Sequence, residues 1–232
     1  METARHRVAD RLHEKPDRAR KPDAAAFIAE NLRLEAVPAV PEIRLYTAHA
    51  GSGLWRLTGR GDGPPPYWAY RWAGGTVLAR YLLDHPEAVR GRRVLDLGAG
   101  AGIVGIAAAI GGAASVAAAE TDLNGLAALA LNATANGVEI SVIGDDLLDG
   151  PPPPDIDLIA VGDLFYEPAL ARRVTAFLDR CRLAGIDILV GDPGRTPLPR
   201  HRLKRLAEYA VPDFGGGEIA ASGVYTFVAA PE

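Results

Sequence analysis

Residues 94–105 read VLDLGAGAGIVG, and their types and spacing are suited to binding a ligand. An apolar run includes Asp96, and a second apolar run follows after Gly98, Gly100 and Gly102. This order predicts a buried strand, a glycine-rich turn and a helix whose first N–H groups are available to a ligand. Glycine lets the backbone approach a ligand closely because it has no Cβ. Asp96, at the end of the strand, would present its carboxylate at the mouth of the site.

Two classes of cofactor fit this stretch, depending on where the turn begins. The spacing D-x-G-x-G-x-G from Asp96 to Gly102 resembles the first motif of the class I S-adenosylmethionine-dependent methyltransferases. Gly100, Gly102 and Gly105 also spell the dinucleotide fingerprint G-x-G-x-x-G. That second frame leaves Asp96 inside the strand, where a carboxylate without a partner costs roughly several kcal/mol. We favour a turn that starts at Gly98, with S-adenosylmethionine as cofactor and S-adenosylhomocysteine as product.

Acidic side chains follow the next two predicted strands, residues 115–119 and 138–143. Because the carboxyl ends of parallel strands meet at one edge of a sheet, Glu120 and Asp145 would lie beside the glycine turn. Both oxygens of Glu120 could accept hydrogen bonds from the two hydroxyls of a ribose, in either frame. We assign the adenine amino group to Asp145 in preference to Asp146.

The stretch GDLFYE at 162–167 follows a fourth predicted strand. Asp163, at the end of that strand, would face the methyl group that is transferred. Phe165 and Tyr166 would form the walls of an acceptor slot, and Glu167 is assigned to substrate binding.

Further candidates come from a GDPGR turn after a fifth strand and from the aromatic stretch PYWAYRWAGG at 66–75. Arg195 in the turn would contact the substrate or satisfy loop carbonyls. Trp72 is the candidate for a cofactor contact, since an aromatic face attracts a sulfonium by about 0.5–2 kcal/mol. Trp68 is assigned to substrate binding. The alternative is that these aromatic residues only hold an N-terminal cap on the core.

The order of strands and helices predicts an α/β fold with a Rossmann-like, seven-stranded class I methyltransferase sheet, mostly parallel with an antiparallel last strand. Its closing strands are predicted at 208–211 and 223–229, after a cationic helix around 200–205. A six-stranded dinucleotide fold would lack this closing hairpin.

Three segments are predicted: a disordered basic arm (1–22), an N-terminal cap (23–75) and an S-adenosylmethionine-binding domain (76–232). The cap would contain a helix at 24–33 and a hairpin of strands 42–47 and 54–57 around Gly51, Ser52 and Gly53. A further helix, 76–83, would begin the larger domain.

Composition limits the class of protein. With 232 residues, 48% apolar residues and a net charge of −4, the chain is expected to form a full core and not to bind nucleic acid. The single cysteine, Cys181, excludes an internal disulfide and is typical of a reducing cytoplasm. We expect no signal peptide, because the N-terminal residues contain no apolar h-region, and the uncharged stretch 97–119 is too rich in Ala and Gly to indicate a membrane span. We expect a cytoplasmic monomer without a metal site.

The chain resembles the protein-lysine methyltransferase family that acts on the electron transfer flavoprotein beta subunit. The resemblance rests on four of these stretches: PYWAYRWAGG, DLGAGAG, GDLFYE and GDPGR. The resemblance covers residues 26–229, and Asp163 and Tyr166 match the D-x-x-Y pattern of a wider set of protein-lysine methyltransferases. It implies lysine side chains of that beta subunit as the substrate. Glu120 departs from the family, which commonly has Asp there.

The residues themselves leave other acceptors open, such as a ribosomal protein, another protein lysine or a small amine. A nicotinamide-dependent oxidoreductase and a scaffold that binds S-adenosylmethionine without turnover are further alternatives. Within the methyltransferase hypothesis, Asp163 would orient the amine and would not act as its base, because a carboxylate favours the charged ammonium. The aromatic walls would favour the neutral amine by desolvation.

Overall fold

The computed structural model describes residues 23–59, 65–213 and 219–229. The predicted arm, residues 1–22, lies outside the described residues. The helices are α1 (Ala24–Asn31), α2 (Trp55–Thr58), α3 (Ala73–Asp84), α4 (Ile103–Ile110), α5 (Leu123–Ala135) and α6 (Pro168–Leu183). The strands are β1 (Arg33–Val37), β2 (Val40–Thr47), β3 (Arg93–Leu97), β4 (Ser115–Ala119), β5 (Ser141–Ile143), β6 (Leu158–Gly162), β7 (Asp187–Asp192), β8 (Leu203–Pro212) and β9 (Ile219–Phe227). No helix in these ranges is long and apolar enough to span a membrane.

Seven strands form one sheet in the order β5-β4-β3-β6-β7-β9-β8. The strands from β5 to β7 pair in parallel, and β9 runs antiparallel to both β7 and β8. The predicted fold class is confirmed. β4 and β5 lie on one side of β3, and β6 and β7 lie on its other side. This reversal of the strand order opens a crevice at the carboxyl ends of β3 and β6.

Helices cover both faces of this sheet. On one face, α3 and α4 bury Val77, Leu78 and Ile106 against the strands. On the other face, α6 buries Phe177 and Leu178. The inner strands β3 and β6 are apolar on both sides, as expected for a parallel sheet with two covered faces.

The N-terminal segment packs mainly on α5. Phe27, Ile28 and Trp68 share a buried cluster with Ala128 of α5. Asn132 of α5 accepts a hydrogen bond from the Tyr46 N–H, which ties strand β2 to the helix. Because α3 begins at Ala73 and packs on the sheet, we propose that the division between cap and larger domain comes just before α3 and not at residue 76.

The predicted hairpin of the cap pairs strand 42–47 with the wrong partner. β2 pairs with β1, which precedes it, across a turn at Pro38 and Ala39. Pro38 therefore sits in a turn, where its fixed φ is favourable, and the helix α1 ends at Asn31 to leave room for β1. Residues 54–57 lie in and before α2 instead of in a strand.

The cationic run at 200–205 is also not a helix. Arg200–Arg202 forms a single 3₁₀ turn, and β8 starts at Leu203. Nine of the ten residues of β8 pair with β9, and the backbone hydrogen bonds of this pairing outweigh a weak helical preference.

Candidate active site

A cavity of about 580 Å³ lies at the carboxyl ends of β3, β4 and β6, partly covered by residues 65–72 of the cap. Ten of the thirteen predicted site residues line it: Trp68, Trp72, Asp96, Gly98, Gly100, Glu120, Asp145, Asp163, Tyr166 and Arg195. The structure thus brings together most of the side chains selected from the sequence.

The glycine turn begins at Gly98, directly after β3 ends at Leu97. Gly98 has φ +70°, and a Cβ there would lie 2.5 Å from the Leu164 side chain, so only glycine fits. Gly100 faces open space, since the nearest atom to a Cβ at this position would be the Trp68 Cα at 3.8 Å. The turn therefore leaves a backbone cradle towards the cavity, in the frame predicted from Asp96.

Asp96 is buried, and its carboxylate contacts the helix that follows the glycine turn. Its Oδ2 accepts a hydrogen bond of 2.8 Å from the Gly105 N–H in the first turn of α4. Burial raises the pKa of this carboxyl to about 7; the Gly105 N–H opposes the shift, and the nearby Glu120 adds to it. Asp96 therefore lies within β3 and is almost fully buried, which corrects the expectation of a carboxylate at the strand end and at the mouth of the site. Its oxygen links β3 to α4, and the residue lines the cavity.

Glu120 holds the same turn from the end of β4. One carboxylate oxygen accepts from the Gly100 N–H and the other from the Asp122 N–H, each at 2.8 Å. A Cβ at position 125 would lie 2.9 Å from the Glu120 Cγ, so Gly125 on α5 gives this long side chain its space. Each oxygen keeps a second lone pair that can accept from a hydroxyl.

The two acids after β5 differ in their contacts. Asp146 forms an ion pair with Arg173 and accepts from the Leu148 N–H. Asp145 is exposed on the cavity wall and has no hydrogen bond or ion pair to any residue that the structure describes. Asp145 is therefore the one whose carboxylate is available to a ligand.

Asp163 lies in the loop after β6, and its carboxylate has two partners. Its Oδ2 accepts from the Gly75 N–H at the start of α3 at 2.8 Å, and its Oδ1 accepts from the Arg195 guanidinium at 2.6 and 3.1 Å. Burial raises the pKa of the Asp163 carboxyl, and the positive charge of Arg195 opposes that shift. Arg195 was expected to contact substrate or loop carbonyls; its partners are Asp163 and, at 3.8 Å, Asp213.

Aromatic side chains surround this ion pair at the cavity mouth. The guanidinium carbon of Arg195 lies 5.7 Å from the centre of the Trp72 ring. Tyr67 contacts both Trp72 and Tyr166, with ring centres 5.6 and 5.3 Å apart. Trp68 is buried below them, next to the glycine turn. The combination of a carboxylate and aromatic faces is suited to a cationic group.

Three predicted residues lie outside the cavity lining. Gly102 starts α4 and faces Leu129. Glu167 caps α6, since its carboxylate accepts from the Ala169 and Leu170 N–H groups. Phe165 is fully buried in the core against α6, so its assignment as a wall of the acceptor slot is corrected, and Leu164 lines the cavity in its place.

Two acids near Asp163 were not selected from the sequence. Asp192, at the end of β7, is fully buried and accepts from the Gly194 and Arg195 N–H groups through one oxygen. Its other oxygen has no hydrogen-bond partner among the described residues. Asp213 follows β8 and reaches Arg195. The GDPGR motif contains Asp192, but only the fold brings the end of β8 to the same place.

We predict that Asp192→Asn stabilises the protein relative to the wild type by more at pH 8 than at pH 4. Burial raises the pKa of Asp192 from 3.8 to about 6, so in that interval the folded protein keeps a proton that the unfolded chain has lost, and stability falls as the pH rises through it. The asparagine avoids this loss, which two pKa units put at about 3 kcal/mol. Urea unfolding of both proteins at the two pH values measures the difference. The exposed Asp187→Asn is the control, and an equal gain at both pH values would contradict the prediction.

The known proteins and the family profile that this chain matches are methyltransferases. A family profile described as Methyltransferase small domain matches residues 73–162. The chain is similar to the electron transfer flavoprotein beta subunit lysine methyltransferase of Xenopus laevis, with 38% identity over 208 residues, 85% of this chain and 83% of the relative. It is 35% identical to the human protein of that name over 199 residues, 82% of this chain and 75% of the relative.

A solved structure agrees in fold. The crystal structure of a candidate RNA methyltransferase from Pyrococcus horikoshii superposes with a TM-score of 0.53 and 18% identity, covering 73% of this chain and 89% of that one. At this identity the likeness concerns the fold alone.

Proposed function

We propose a function from the family of this chain: it belongs to the electron transfer flavoprotein beta subunit lysine methyltransferases. The protein is a methyltransferase, and the oxidoreductase alternative is set aside. We propose that it transfers methyl groups from S-adenosylmethionine to lysine side chains of the electron transfer flavoprotein beta subunit. The identity of 38% across 83% of a relative with that name is the observation that carries the substrate assignment.

The cavity fits S-adenosylmethionine in its chemistry. The turn at Gly100 leaves a cradle that a Cβ would partly fill, and carboxylates surround it, as suits a sulfonium cation. Glu120 would hold the ribose hydroxyls with its remaining lone pairs, and Asp145 would accept from the adenine amino group. Trp72 would face the sulfonium. When bound, this cofactor supplies an activated methyl group, and the chain must orient an amine behind it.

The acceptor slot is proposed to lie between Asp163, Tyr166, Tyr67 and Trp72. The Asp163 carboxylate would orient the incoming lysine, and the aromatic faces would exclude water from it. A lysine with a pKa near 10.4 must lose its proton first, which costs about 4.6 kcal/mol at pH 7. Desolvation by Tyr67, Trp72 and Tyr166 would lower that cost, with the proton leaving to water.

The remaining assignments are proposals of the same kind. The protein would act as a monomer and in the cytoplasm. The single, buried and unbonded Cys181 is consistent with that compartment. Its net charge of −4 supports a protein acceptor over nucleic acid.

We predict that purified electron transfer flavoprotein, incubated with this protein and S-adenosylmethionine, gains methyl groups on lysines of its beta subunit. Peptide mass spectrometry detects them as increments of about 14 Da per methyl, and Asp163→Ala should abolish them. If no lysine is methylated while S-adenosylhomocysteine still raises the melting temperature, the cofactor assignment holds and the substrate is a different amine. If S-adenosylhomocysteine causes no shift, the cofactor assignment is wrong.

A further inference from the structure

The acceptor slot already contains a cation, which belongs to the chain itself. We propose that Arg195 occupies, in the free enzyme, the place that the substrate ammonium takes beside Asp163, and that it turns to Asp213 when the lysine enters. The inference rests on the proposed function, since it requires a cationic acceptor. It makes Arg195 an internal competitor that sets how tightly the acceptor binds.

The position of the guanidinium supports this competition. Two nitrogens of Arg195 contact one oxygen of Asp163, at 2.6 and 3.1 Å, and the group lies over Trp72. A carboxylate together with an aromatic face is the environment that a lysine ammonium would need at the same point. Both guanidinium nitrogens donate to the same oxygen, Oδ1, so an ammonium that takes that oxygen must displace Arg195 from it.

A place for the displaced guanidinium exists nearby. Asp213 Oδ1 lies 3.8 Å from a terminal nitrogen of Arg195; it is buried and has no hydrogen-bond partner in the described part of the chain. Closing that gap to a hydrogen bond requires a movement of about 1 Å. The fully buried Asp192 also keeps one oxygen without a partner there.

Charge balance favours the exchange. The carboxylates of Asp163, Asp192 and Asp213 surround a single guanidinium. Asp192 is fully buried and the Asp163 side chain nearly so, and carboxylates in such places are unfavourable without a counter-charge. A second cation would let Asp163 pair with the substrate while Asp213 pairs with Arg195. The cluster is therefore complete only with the acceptor present.

Two variants should change acceptor binding in opposite directions. Arg195→Gln removes the competing cation. It is expected to lower the KM for the flavoprotein beta subunit about tenfold, because the acceptor lysine no longer has to displace a guanidinium from Asp163. Asp213→Asn removes the alternative partner of Arg195 and is expected to raise that KM about tenfold, with kcat within about twofold. Arg195→Lys keeps a resident cation and should restore a KM near that of the wild type.

The matched control is Arg200→Gln. Arg200 lies on the same loop and donates to the Gly194 carbonyl oxygen, and its loss should leave the KM unchanged. A purely structural role of Arg195 would make both variants of the cluster worse, so a raised or unchanged KM in Arg195→Gln overturns the proposal. If Arg195→Gln does not fold, an unchanged KM in Asp213→Asn overturns it.

Binding of n-butylammonium to the protein loaded with S-adenosylhomocysteine, measured by calorimetry, gives a test that needs no turnover. Affinity should rise about tenfold in Arg195→Gln and fall about tenfold in Asp213→Asn. Equal affinity in the wild type and both variants would overturn the exchange. Failure of the flavoprotein to become methylated would contradict the proposed substrate and not the exchange, because the binding of n-butylammonium does not depend on the flavoprotein.

Discussion

Replacing Asp163 with asparagine is expected to lower the rate of lysine methylation by about 10²-fold or more, because a misplacement of the reacting amine by about 1 Å can cost that much in rate. Asparagine can still accept from the Gly75 N–H, but its amide group would point a donor at Arg195 or at the incoming ammonium. The acceptor would then lose the carboxylate that orients it. Single-turnover rates with saturating S-adenosylmethionine measure the effect on transfer itself.

The matched control is Asp179→Asn, which breaks a comparable pair with Arg202 away from the cavity. It should leave the methylation rate unchanged although the protein loses stability. S-adenosylhomocysteine should raise the melting temperature of Asp163→Asn as much as that of the wild type, since Asp163 is assigned to the acceptor and not to the cofactor. A variant Asp163→Asn that keeps more than half of the wild-type rate would exclude an orienting role for this carboxylate.

The sequence was sufficient where local patterns determine the structure. A buried strand ending at Leu97, a turn starting at Gly98 and a helix from Ile103 follow from apolar runs and glycine spacing alone. The same pattern correctly located Glu120 at the edge of the sheet, because parallel strands align their carboxyl ends.

Predictions failed where the chain leaves a regular element. Alternation of side chains could not tell which of Leu164 and Phe165 faces the cavity, because Asp163 has φ +57° and redirects the chain at that point. As a result Phe165 enters the core and Leu164 lines the site. The pairing of Asp163 with Arg195 joins residues 32 positions apart and could not be read from spacing.

The cap was the least predictable part for a similar reason. β1 and β2 form a two-stranded sheet of their own, which is marginal by itself. Ile43 and Leu45 of β2 are buried in the main core cluster with residues of α3 and α4, and the Tyr46 N–H donates to Asn132 of α5. The short helix α2 likewise buries only Leu57. Such elements depend on tertiary contacts that a single sequence does not display.

Gly74→Ala is expected to destabilise the protein by about 3 kcal/mol and to disrupt the site as well. A Cβ at this position would lie 2.6 Å from the Asp163 Oδ2 and still closer to the Gly191 carbonyl oxygen. The start of α3 therefore crosses β7 at a distance that only glycine allows. To relieve the overlap, α3 must move away from the sheet, and the hydrogen bond from the Gly75 N–H to Asp163 would be lost with it. Thermal and urea unfolding measure the loss of stability.

Activity separates this effect from simple destabilisation. Gly137→Ala is the matched control: it places alanine at φ +67° with no other atom within 4 Å, so it should lose only about 1 kcal/mol of backbone energy and keep its activity. At a temperature where both variants are folded, Gly74→Ala should lose at least about tenfold in kcat/KM, since Asp163 is no longer held by α3. Equal kcat/KM in the two variants would show that the contact between α3 and Asp163 serves stability alone.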